Sequence, residues 1–302
     1  MINSRGFESP KDIESISNFL DKIYSIEPNQ NNWQSARWQY AAYFINPLNQ
    51  MRGNDFFNQS IRIWEDDGEI VAFICCEDPE DAFIQIHPAY THLLTEIFIW
   101  AETNLSYTDE FDKMAITIWS NDLDLSKTIL LSQQGYVKYS SFEFLRYFHL
   151  KDYIPDRPQL DDYKILSLLE YTNLESKCAV TVKAFGSSGL PIELYRSMQS
   201  APLYRPDLDL VIVDKNDEAV ACGTFWFNPH IQTGYIEPMA THPAYQGIGL
   251  GKAILTEGLS RLKNLGTNIV YVGSYGEKGG QFYASAGFHA YERHTPWTKS
   301  LE

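Results

Sequence analysis

The sequence has few cysteines, and it lacks the patterns by which cysteine or histidine usually holds a metal. No CxxC pair is present, and His87, His92 and Glu96 do not have the H-E-x-x-H spacing of a zinc-binding helix. We therefore expect no metal site, and we interpret the cysteines as small apolar residues of a reducing compartment. The four cysteines are Cys75, Cys76, Cys178 and Cys222.

Long apolar runs are also missing. No segment approaches the roughly 20 consecutive apolar residues that a membrane-spanning helix needs. Residues 1–12 contain neither the apolar stretch nor the small-residue cleavage site of a secretory signal. These features predict a cytoplasmic protein that has no membrane partner.

Positive charge is scarce, most of all in the first half of the chain. Residues 1–150 hold 10 Lys and Arg against 22 Asp and Glu, whereas residues 151–302 hold 14 against 17. A net charge of −15 disfavours a nucleic-acid partner, because an acidic surface repels phosphates. The same charge would attract a cationic small molecule.

The sequence does contain an internal repeat with a period near 150 residues. His87-Pro88-Ala89-Tyr90 recurs as His242-Pro243-Ala244-Tyr245, and two further pairs of short segments recur in the same order. A chain of 302 residues suits two domains. We therefore predict two copies of one fold, divided into domains 1–150 and 151–302.

Each copy has the same local pattern. Two strands joined by a polar turn and a third strand precede the His-Pro-Ala-Tyr segment, and helix, strand, helix and strand follow it. The order predicts an α/β fold (layered α+β) in which a mixed, mostly antiparallel sheet is flanked by helices. The segment Lys151–Asp161 contains two prolines and marks the predicted boundary.

A glycine-rich segment follows the second His-Pro-Ala-Tyr and leads into a helix. Glycines after a strand and before a helix let backbone N–H groups approach an anion, so this loop predicts a phosphate or pyrophosphate ligand. The spacing fits neither the Rossmann nor the Walker pattern. The loop residues are Gln246, Gly247, Ile248, Gly249, Leu250, Gly251 and Lys252.

This loop resembles the coenzyme A loop of the GNAT superfamily of N-acetyltransferases, which reads Q/R-x-x-G-x-G/A. Thr241-His242-Pro243 resembles the entry to that loop, and the segment 282–288, with Phe-Tyr followed by Gly-Phe, resembles the late helix of the family. The similarity spans residues 208–291. It implies that the Gln246–Lys252 loop holds the pyrophosphate of acetyl-CoA.

The first copy lacks the chemistry that the resemblance implies for the second. No glycine stands in the segment 91–96, Glu96 brings a negative charge, and Leu131 occupies the position of Tyr283. We interpret residues 1–150 as a degenerate GNAT-like domain without a pyrophosphate loop. One intact and one silent copy is an arrangement similar to that of mycothiol synthase and other two-domain GNAT proteins.

The resemblance also implies roles for residues around the loop. Tyr283 matches the tyrosine that acts as general acid toward the leaving thiolate. Backbone N–H groups of the strand residues Met239, Ala240 and Thr241 would contact the pantetheine and the oxyanion, at a bulge where the strand splays. Two assignments depart from the family pattern. Glu237, the candidate base, stands two positions after the usual glutamate, and Ser274 stands where the family has an asparagine.

The predicted function is transfer of an acetyl group from acetyl-CoA to the amine of a small, cationic acceptor by direct attack. Two alternatives stay open at this point. One is a non-catalytic sensor or interaction module that binds coenzyme A. The other is an aminoacyl transferase of the Fem type, which the absence of a basic stripe disfavours because such an enzyme must hold tRNA.

Overall fold

A computed structural model describes residues 1–151, 156–187 and 189–301, which form two compact units. The first unit comprises Met1–Leu145 and the residues from Glu292 onward, and the second comprises Arg146–Tyr291. This division differs from the predicted one at residue 150, because the final strand of each repeat contributes to the other unit. Residues 152–155 of the predicted boundary segment lie outside the described residues.

The first unit has a sheet between two hydrophobic cores, because alternate residues of its central strand enter opposite faces: Phe73 enters one core, and Ala72 and Ile74 enter the other. Its strands are β1 (Ile2–Gly6), β2 (Arg62–Asp66), β3 (Glu69–Cys76), β4 (Ala82–Ile86), β5 (Tyr107–Thr108), β6 (Met114–Asn121), β7 (Val137–Lys138) and the beginning of β8 (Glu143–His149). Its helices are α1 (Lys11–Ile26), α2 (Ser35–Tyr40), a π-helical turn (Ala41–Ile45), α3 (Asn46–Met51), α4 (Phe56–Ser60), a 3₁₀ helix (Pro88–Leu93), α5 (Leu94–Asn104) and α6 (Leu125–Gln133).

The second unit repeats this plan. Phe225 on its central strand packs in one core, and Cys222 on the same strand packs in the other. Its further strands are β9 (Lys164–Ser167), β10 (Asp209–Val213), β11 (Ala219–Asn228), β12 (Thr233–Thr241), β13 (Ile269–Ser274) and β14 (Ala290–Ser300). Its helices are α7 (Leu174–Phe185), α8 (Ile192–Gln199), a 3₁₀ helix (Pro243–Tyr245), α9 (Leu250–Asn264) and α10 (Gly276–Ser285).

The two sheets are mixed and mostly antiparallel, which confirms the predicted fold class. In the first unit the strands follow the order β1-β2-β3-β4-β6-β14, and in the second the order β8-β13-β12-β11-β10-β9. The β4–β6 and β12–β13 pairs are parallel, whereas the pairs among β1, β2, β3 and β4 and among β9, β10, β11 and β12 are antiparallel. Strand β14 enters the first unit through His294–Ser300, which pair with β6.

The repeated His-Pro-Ala-Tyr segment has the same geometry in both units. His87 and His242 each accept a hydrogen bond at Nδ1 from the N–H of the alanine two residues later, at 3.1 and 3.2 Å. The backbone N–H groups of His87 and His242 donate to Val71 and Val220 on the neighbouring strand, both at 2.9 Å. The sequence repeat is thus a structural repeat down to single hydrogen bonds.

Close packing of α9 on β11 sets the position of the following site. A Cβ atom on Gly258 would lie 2.1 Å from the Phe225 ring, so only glycine lets the helix approach the strand this closely. Gly266, which adopts a φ of +85°, follows the end of α9 and lets the chain leave the helix in a left-handed conformation. Among the described residues, every helix is too short or too polar to cross a membrane.

Candidate functional site

The edge of β12 that faces β13 is open over much of its length. The two strands pair in parallel only from Thr233 to Tyr235, opposite Ile269 to Tyr271. Along the other edge, Phe225 pairs with Ile236 but Gly223 pairs with Met239, so β12 carries one extra residue in this interval. This is the bulge that the family resemblance implies.

The hydrogen-bond pattern shows which backbone groups the open edge presents. His242 donates its N–H to Val220 on β11, so Ala240, two residues earlier, also faces β11. Met239 and Thr241 alternate with these residues and therefore direct their N–H and C=O groups away from β11. The sequence predicts ligand contacts for Met239, Ala240 and Thr241. The geometry favours Met239 and Thr241 for these contacts, because the Ala240 backbone faces β11.

The glycine-rich loop joins this edge to α9. Gly247 and Gly249 have φ values of +81° and +92°, a left-handed conformation that glycine adopts without strain. The Gln246 side chain donates from Nε2 to the Thr241 carbonyl at 3.1 Å, which fixes the loop against the strand end. The two glycines turn the chain so that α9 begins directly beside the open edge.

The first turn of α9 can bind an anion. The first helical hydrogen bond runs from the Ala253 N–H to the Gly249 carbonyl, so the N–H groups of Leu250, Gly251 and Lys252 have no acceptor within the helix. The N-cap residue Gly249 offers no side-chain cap. The helix dipole places partial positive charge at this end. A Cβ atom on Gly251 would approach the Phe282 ring to 3.1 Å, so the helix also passes close to α10 here.

These elements surround a cavity of about 490 Å³ in the second unit. Most of the predicted site residues line it, but Ile248 is 56% exposed and lies outside, and Glu237 and Ser274 are not among the lining residues. Its walls are Met239, Ala240, Thr241, Gln246, Gly247, Gly249, Leu250, Gly251, Lys252 and Tyr283, together with Ala184, Phe185, Tyr245, Gly279 and Phe282, for which the sequence analysis predicted no role.

Tyr283 reaches the cavity from α10. Its ring packs edge-on against Phe282 and Phe288, with centroid distances of 5.0 and 5.8 Å. Burial raises the pKa of the Tyr283 phenol well above its ordinary value, and the negative charge of Glu237 raises this pKa further. The phenol is therefore protonated near neutral pH and can donate its proton.

Glu237 and Ser274 occupy different surroundings. Glu237 lies in the β12 bulge, is half-buried, and is close enough to influence the Tyr283 phenol electrostatically. Ser274 is 4% exposed at the end of β13, where its Oγ accepts a hydrogen bond from Arg146 Nε at 3.1 Å. The geometry thus brings Glu237 near the cavity and gives Ser274 a structural partner.

In the first unit the corresponding strand edge is occupied by side chains of the same unit. By the repeat register, Ile84 and Ile86 on β4 are the counterparts of Met239 and Thr241. Asn32 accepts a hydrogen bond at Oδ1 from the Ile86 N–H at 2.7 Å and donates from Nδ2 to the Ile86 carbonyl at 3.3 Å. The backbone groups that are open in the second unit therefore have partners here.

A buried lysine completes this occupation. Lys127 on α6 is 1% exposed, and its Nζ donates to the Ile84 carbonyl at 3.2 Å and lies 3.3 Å from Asp124 Oδ2. Gly135 follows α6, and Gly287 follows α10 at the equivalent position of the repeat. Lys127 and Gly279 each lie eight residues before that glycine, so they correspond, and Gly279 lines the cavity of the second unit. One unit thus has a cavity where the other has an ammonium group.

The phosphate loop has no counterpart in the first unit. The 3₁₀ helix Pro88–Leu93 continues directly into α5, so no left-handed turn exposes a helix start. Glu96 in the first turn of α5 accepts a hydrogen bond from Trp64 Nε1 at 2.8 Å, and Leu131, at the position of Tyr283, is fully buried.

A comparison with protein families decides the assignment of the second unit. Residues 172–288 match the sequence model of the acetyltransferase (GNAT) family. The match covers most of the second unit. The matched range contains β12, the glycine loop, α9 and Tyr283, so the family pattern covers the cavity and its surroundings.

Two solved structures share the fold of the whole chain, and one of them is a tandem GNAT protein. A GCN5-related N-acetyltransferase from Sphaerobacter thermophilus aligns over 99% of this chain and 95% of its own, with a TM-score of 0.64 at 17% identity. A tandem GNAT protein from the clavulanic acid biosynthesis pathway aligns over 99% and 98%, with a TM-score of 0.62 at 10% identity. At these identities the likeness concerns the fold.

A sequence relative supports the same family over a shorter range. The uncharacterized N-acetyltransferase CgeE of Bacillus subtilis (strain 168) is 32% identical over 97 residues, which amount to 30% of this chain. The match spans 38% of the length of that protein. The GNAT resemblance found in the sequence is thereby confirmed.

Proposed function

We propose that this protein is an N-acetyltransferase that transfers the acetyl group of acetyl-CoA to the amine of a small molecule, and that the GNAT domain of the second unit carries the activity. The first unit is a silent copy in this proposal. The supporting observation is that an open strand edge, an uncapped helix start and a protonated phenol meet at one cavity of about 490 Å³.

The donor would be held by backbone groups. The outward N–H and C=O groups of Met239 and the outward N–H group of Thr241 suit an extended amide chain such as pantetheine, which can pair with a strand edge as another strand would. The N–H groups at the start of α9, with Lys252 beside them, suit the pyrophosphate. Gly247 and Gly249 leave room for its oxygens, because side chains at these two positions would stand in the way.

The reaction needs three groups, and the second unit has a candidate for each. Glu237 takes a proton from the attacking amine, directly or through a water molecule. An outward N–H group of β12 donates to the carbonyl oxygen of the thioester as negative charge develops on it. Tyr283 gives its proton to the thiolate when the carbon–sulfur bond breaks, since a phenol is protonated at neutral pH.

The acceptor is proposed from charge alone. A chain with a net charge of −15 favours a cationic amine and disfavours tRNA, which a Fem-type transferase must bind. A cytoplasmic location, which the sequence predicts, is consistent with the supply of acetyl-CoA. Small-molecule amines therefore form the first acceptor panel.

The test is thermal unfolding with and without acetyl-CoA, followed by a thiol-release assay with the amine panel. Acetyl-CoA at 100 times its Kd should add about 2.7 kcal/mol to the free energy of unfolding of the wild type. Gly249→Glu should abolish this shift, because the new carboxylate stands at the pyrophosphate position.

Gly266→Glu is the matched control, since Gly266 has a similar φ of +85° and, like Gly249, has room for a Cβ atom without a close approach, but follows the other end of α9. Its shift should equal that of the wild type. A wild type without a shift would refute the proposal, as would an equal shift in Gly249→Glu. A shift without thiol release for any amine would favour the sensor alternative, and aminoacyl transfer from charged tRNA would favour the Fem-type alternative.

A further inference from the structure

The backbone of the β12 bulge has a side-chain partner on the neighbouring strand. Glu237 and Pro238 both lie opposite Thr224, where the register of β11 and β12 shifts by one residue. Their backbone groups therefore do not follow the regular hydrogen-bond pattern of the two strands. Trp226 on β11 donates from its indole Nε1 to the Glu237 carbonyl at 2.7 Å. This is a short hydrogen bond for an N–H donor, and Trp226 is fully buried.

A buried polar cluster stands behind the indole. Asp209 and Lys177 are both 0% exposed, and Lys177 Nζ lies 2.5 Å from each carboxylate oxygen of Asp209. Asp209 also accepts hydrogen bonds from Thr224 Oγ1 and the Tyr204 hydroxyl, both at 2.9 Å. The Tyr204 ring lies edge-on to Trp226 at a centroid distance of 6.2 Å.

The cluster fixes the two residues that define the bulge from the β11 side. Thr224, which faces the extra residue, is held by Asp209, and Trp226, which binds the bulge carbonyl, is held by Tyr204. A buried ion pair contributes little to stability compared with apolar packing, so its presence behind a bulge is better explained by the geometry that it enforces.

We propose that Trp226 is a positioning residue for the acetyl transfer: by holding the Glu237 carbonyl, it fixes the bulge that aims the Glu237 carboxylate at the reaction centre beside Tyr283. The inference rests on the proposed function, in which Glu237 accepts the amine proton. Trp226 itself is not expected to contact acetyl-CoA, because its side chain is not among those that line the cavity.

The test is a double-mutant cycle of Trp226→Phe and Glu237→Gln, measured by steady-state kinetics. Trp226→Phe should lower kcat about tenfold, the effect of one lost hydrogen bond to the backbone, and leave the KM for acetyl-CoA unchanged. In the Glu237→Gln background, the same change should have no further effect, because the group that it positions is no longer a base.

Trp38→Phe is the matched control. Trp38 in the first unit is also fully buried and donates from Nε1 to a backbone carbonyl, that of Ile13, at 3.0 Å. This variant loses the same type of bond and similar packing, so its kcat should stay within twofold of the wild type. Equal losses in both variants, or full additivity with Glu237→Gln, would overturn the inference.

A second readout separates this inference from the proposed function. Hydrogen exchange of the Ala240 backbone amide, which faces β11 beside the bulge, should be at least tenfold faster in Trp226→Phe than in the wild type, and unchanged in Trp38→Phe. A wild type with no turnover would refute the function, yet the exchange data would still decide whether Trp226 holds the bulge. Unchanged exchange in Trp226→Phe would refute the proposal that Trp226 holds the bulge.

Discussion

The edges of β4 and β12 that face β6 and β13 are equivalent in the two units, but their backbone N–H and C=O groups have different hydrogen-bond partners. In the first unit, Asn32 accepts from the Ile86 N–H and donates to the Ile86 carbonyl, and Lys127 donates to the Ile84 carbonyl. In the second unit, Met239 presents both of its backbone groups and Thr241 its N–H group to a cavity, whereas the Thr241 carbonyl accepts a hydrogen bond from Gln246. Backbone polar groups away from water require partners, so an edge that lacks internal ones is suited to a ligand.

This difference shows that a binding site can be lost by gaining side chains as well as by losing glycines. The missing glycine loop removes the anion site of the first unit, but the strand edge would still be open without Asn32 and Lys127. Gly279 in the second unit and Lys127 in the first occupy equivalent helix positions. The cavity therefore depends on the absence of a side chain at Gly279 as much as on the loop.

The largest expected effect is on kcat and comes from a tyrosine of the second unit. Tyr283→Phe should lower kcat by a factor of roughly 10² to 10⁴, the usual contribution of a general acid, because the leaving thiolate loses its proton donor. The Kd for acetyl-CoA should not change, since the ring remains in place. Steady-state kinetics and titration calorimetry measure the two quantities.

Tyr136→Phe in the first unit is the control for this change. The pKa of Tyr136 is also raised, first by burial and then by a nearby carboxylate, and its hydroxyl donates to Glu102 at 3.0 Å. Its loss should cost about 1 kcal/mol of stability and leave kcat unchanged. If the two tyrosine variants had the same kcat, the assignment of Tyr283 as the acid would be wrong.

The next effect tests whether Lys127 holds the first unit together. Lys127→Met should lower the free energy of unfolding by about 3 kcal/mol, because it leaves the buried Asp124 carboxylate and the Ile84 carbonyl without their ammonium partner. Urea unfolding measures the change. Lys22→Met is the control, since Lys22 is 55% exposed and pairs with Glu69 at 3.4 Å, which predicts a change below about 1 kcal/mol.

Lys127→Met should leave the stoichiometry at one acetyl-CoA per chain, because Asn32 and the missing loop still block the first unit. A second binding event in calorimetry would show that the lysine alone closes this unit. A loss of stability no larger than that of Lys22→Met would mean that the ammonium is not a structural partner of the strand edge.

The features that the sequence predicted correctly are local. The two His-Pro-Ala-Tyr segments, the hairpin turns and the helix ends are determined by residues close in sequence, so their positions could be predicted within a few residues. The glycines at 247 and 249 likewise mark their own left-handed conformation. The GNAT resemblance joined these local features into a fold.

The features that sequence reasoning missed depend on residues distant along the chain. A lysine in an amphipathic helix is expected at the surface, so nothing near Lys127 indicates that its ammonium is buried against β4. Asn32 lies 54 residues before its partner Ile86. The placement of β14 in the first unit was missed for the same reason, since the residues of β14 do not indicate which strand they pair with.

The smallest expected effect concerns the acid stability of the first unit. Burial first and the Lys127 ammonium second lower the pKa of His294 on β14 to about 4. The unfolded chain takes up a proton at this histidine below about pH 6.5, which the folded chain resists, so stability is complete above that pH and is lost as the pH falls. Between pH 7 and pH 5 the loss should be about 2 kcal/mol.

His294→Gln tests this prediction by removing the titration. Urea unfolding of this variant should have a flatter dependence on pH between 7 and 5 than the wild type, whereas substitution of the exposed His289 should leave the wild-type slope. Lys127→Met should act in the same direction as His294→Gln, because loss of the ammonium raises the pKa of His294 toward that of the unfolded chain. Parallel pH profiles for the wild type and His294→Gln would show that acid sensitivity arises elsewhere in the chain, and the lysine would then be connected with the strand edge alone.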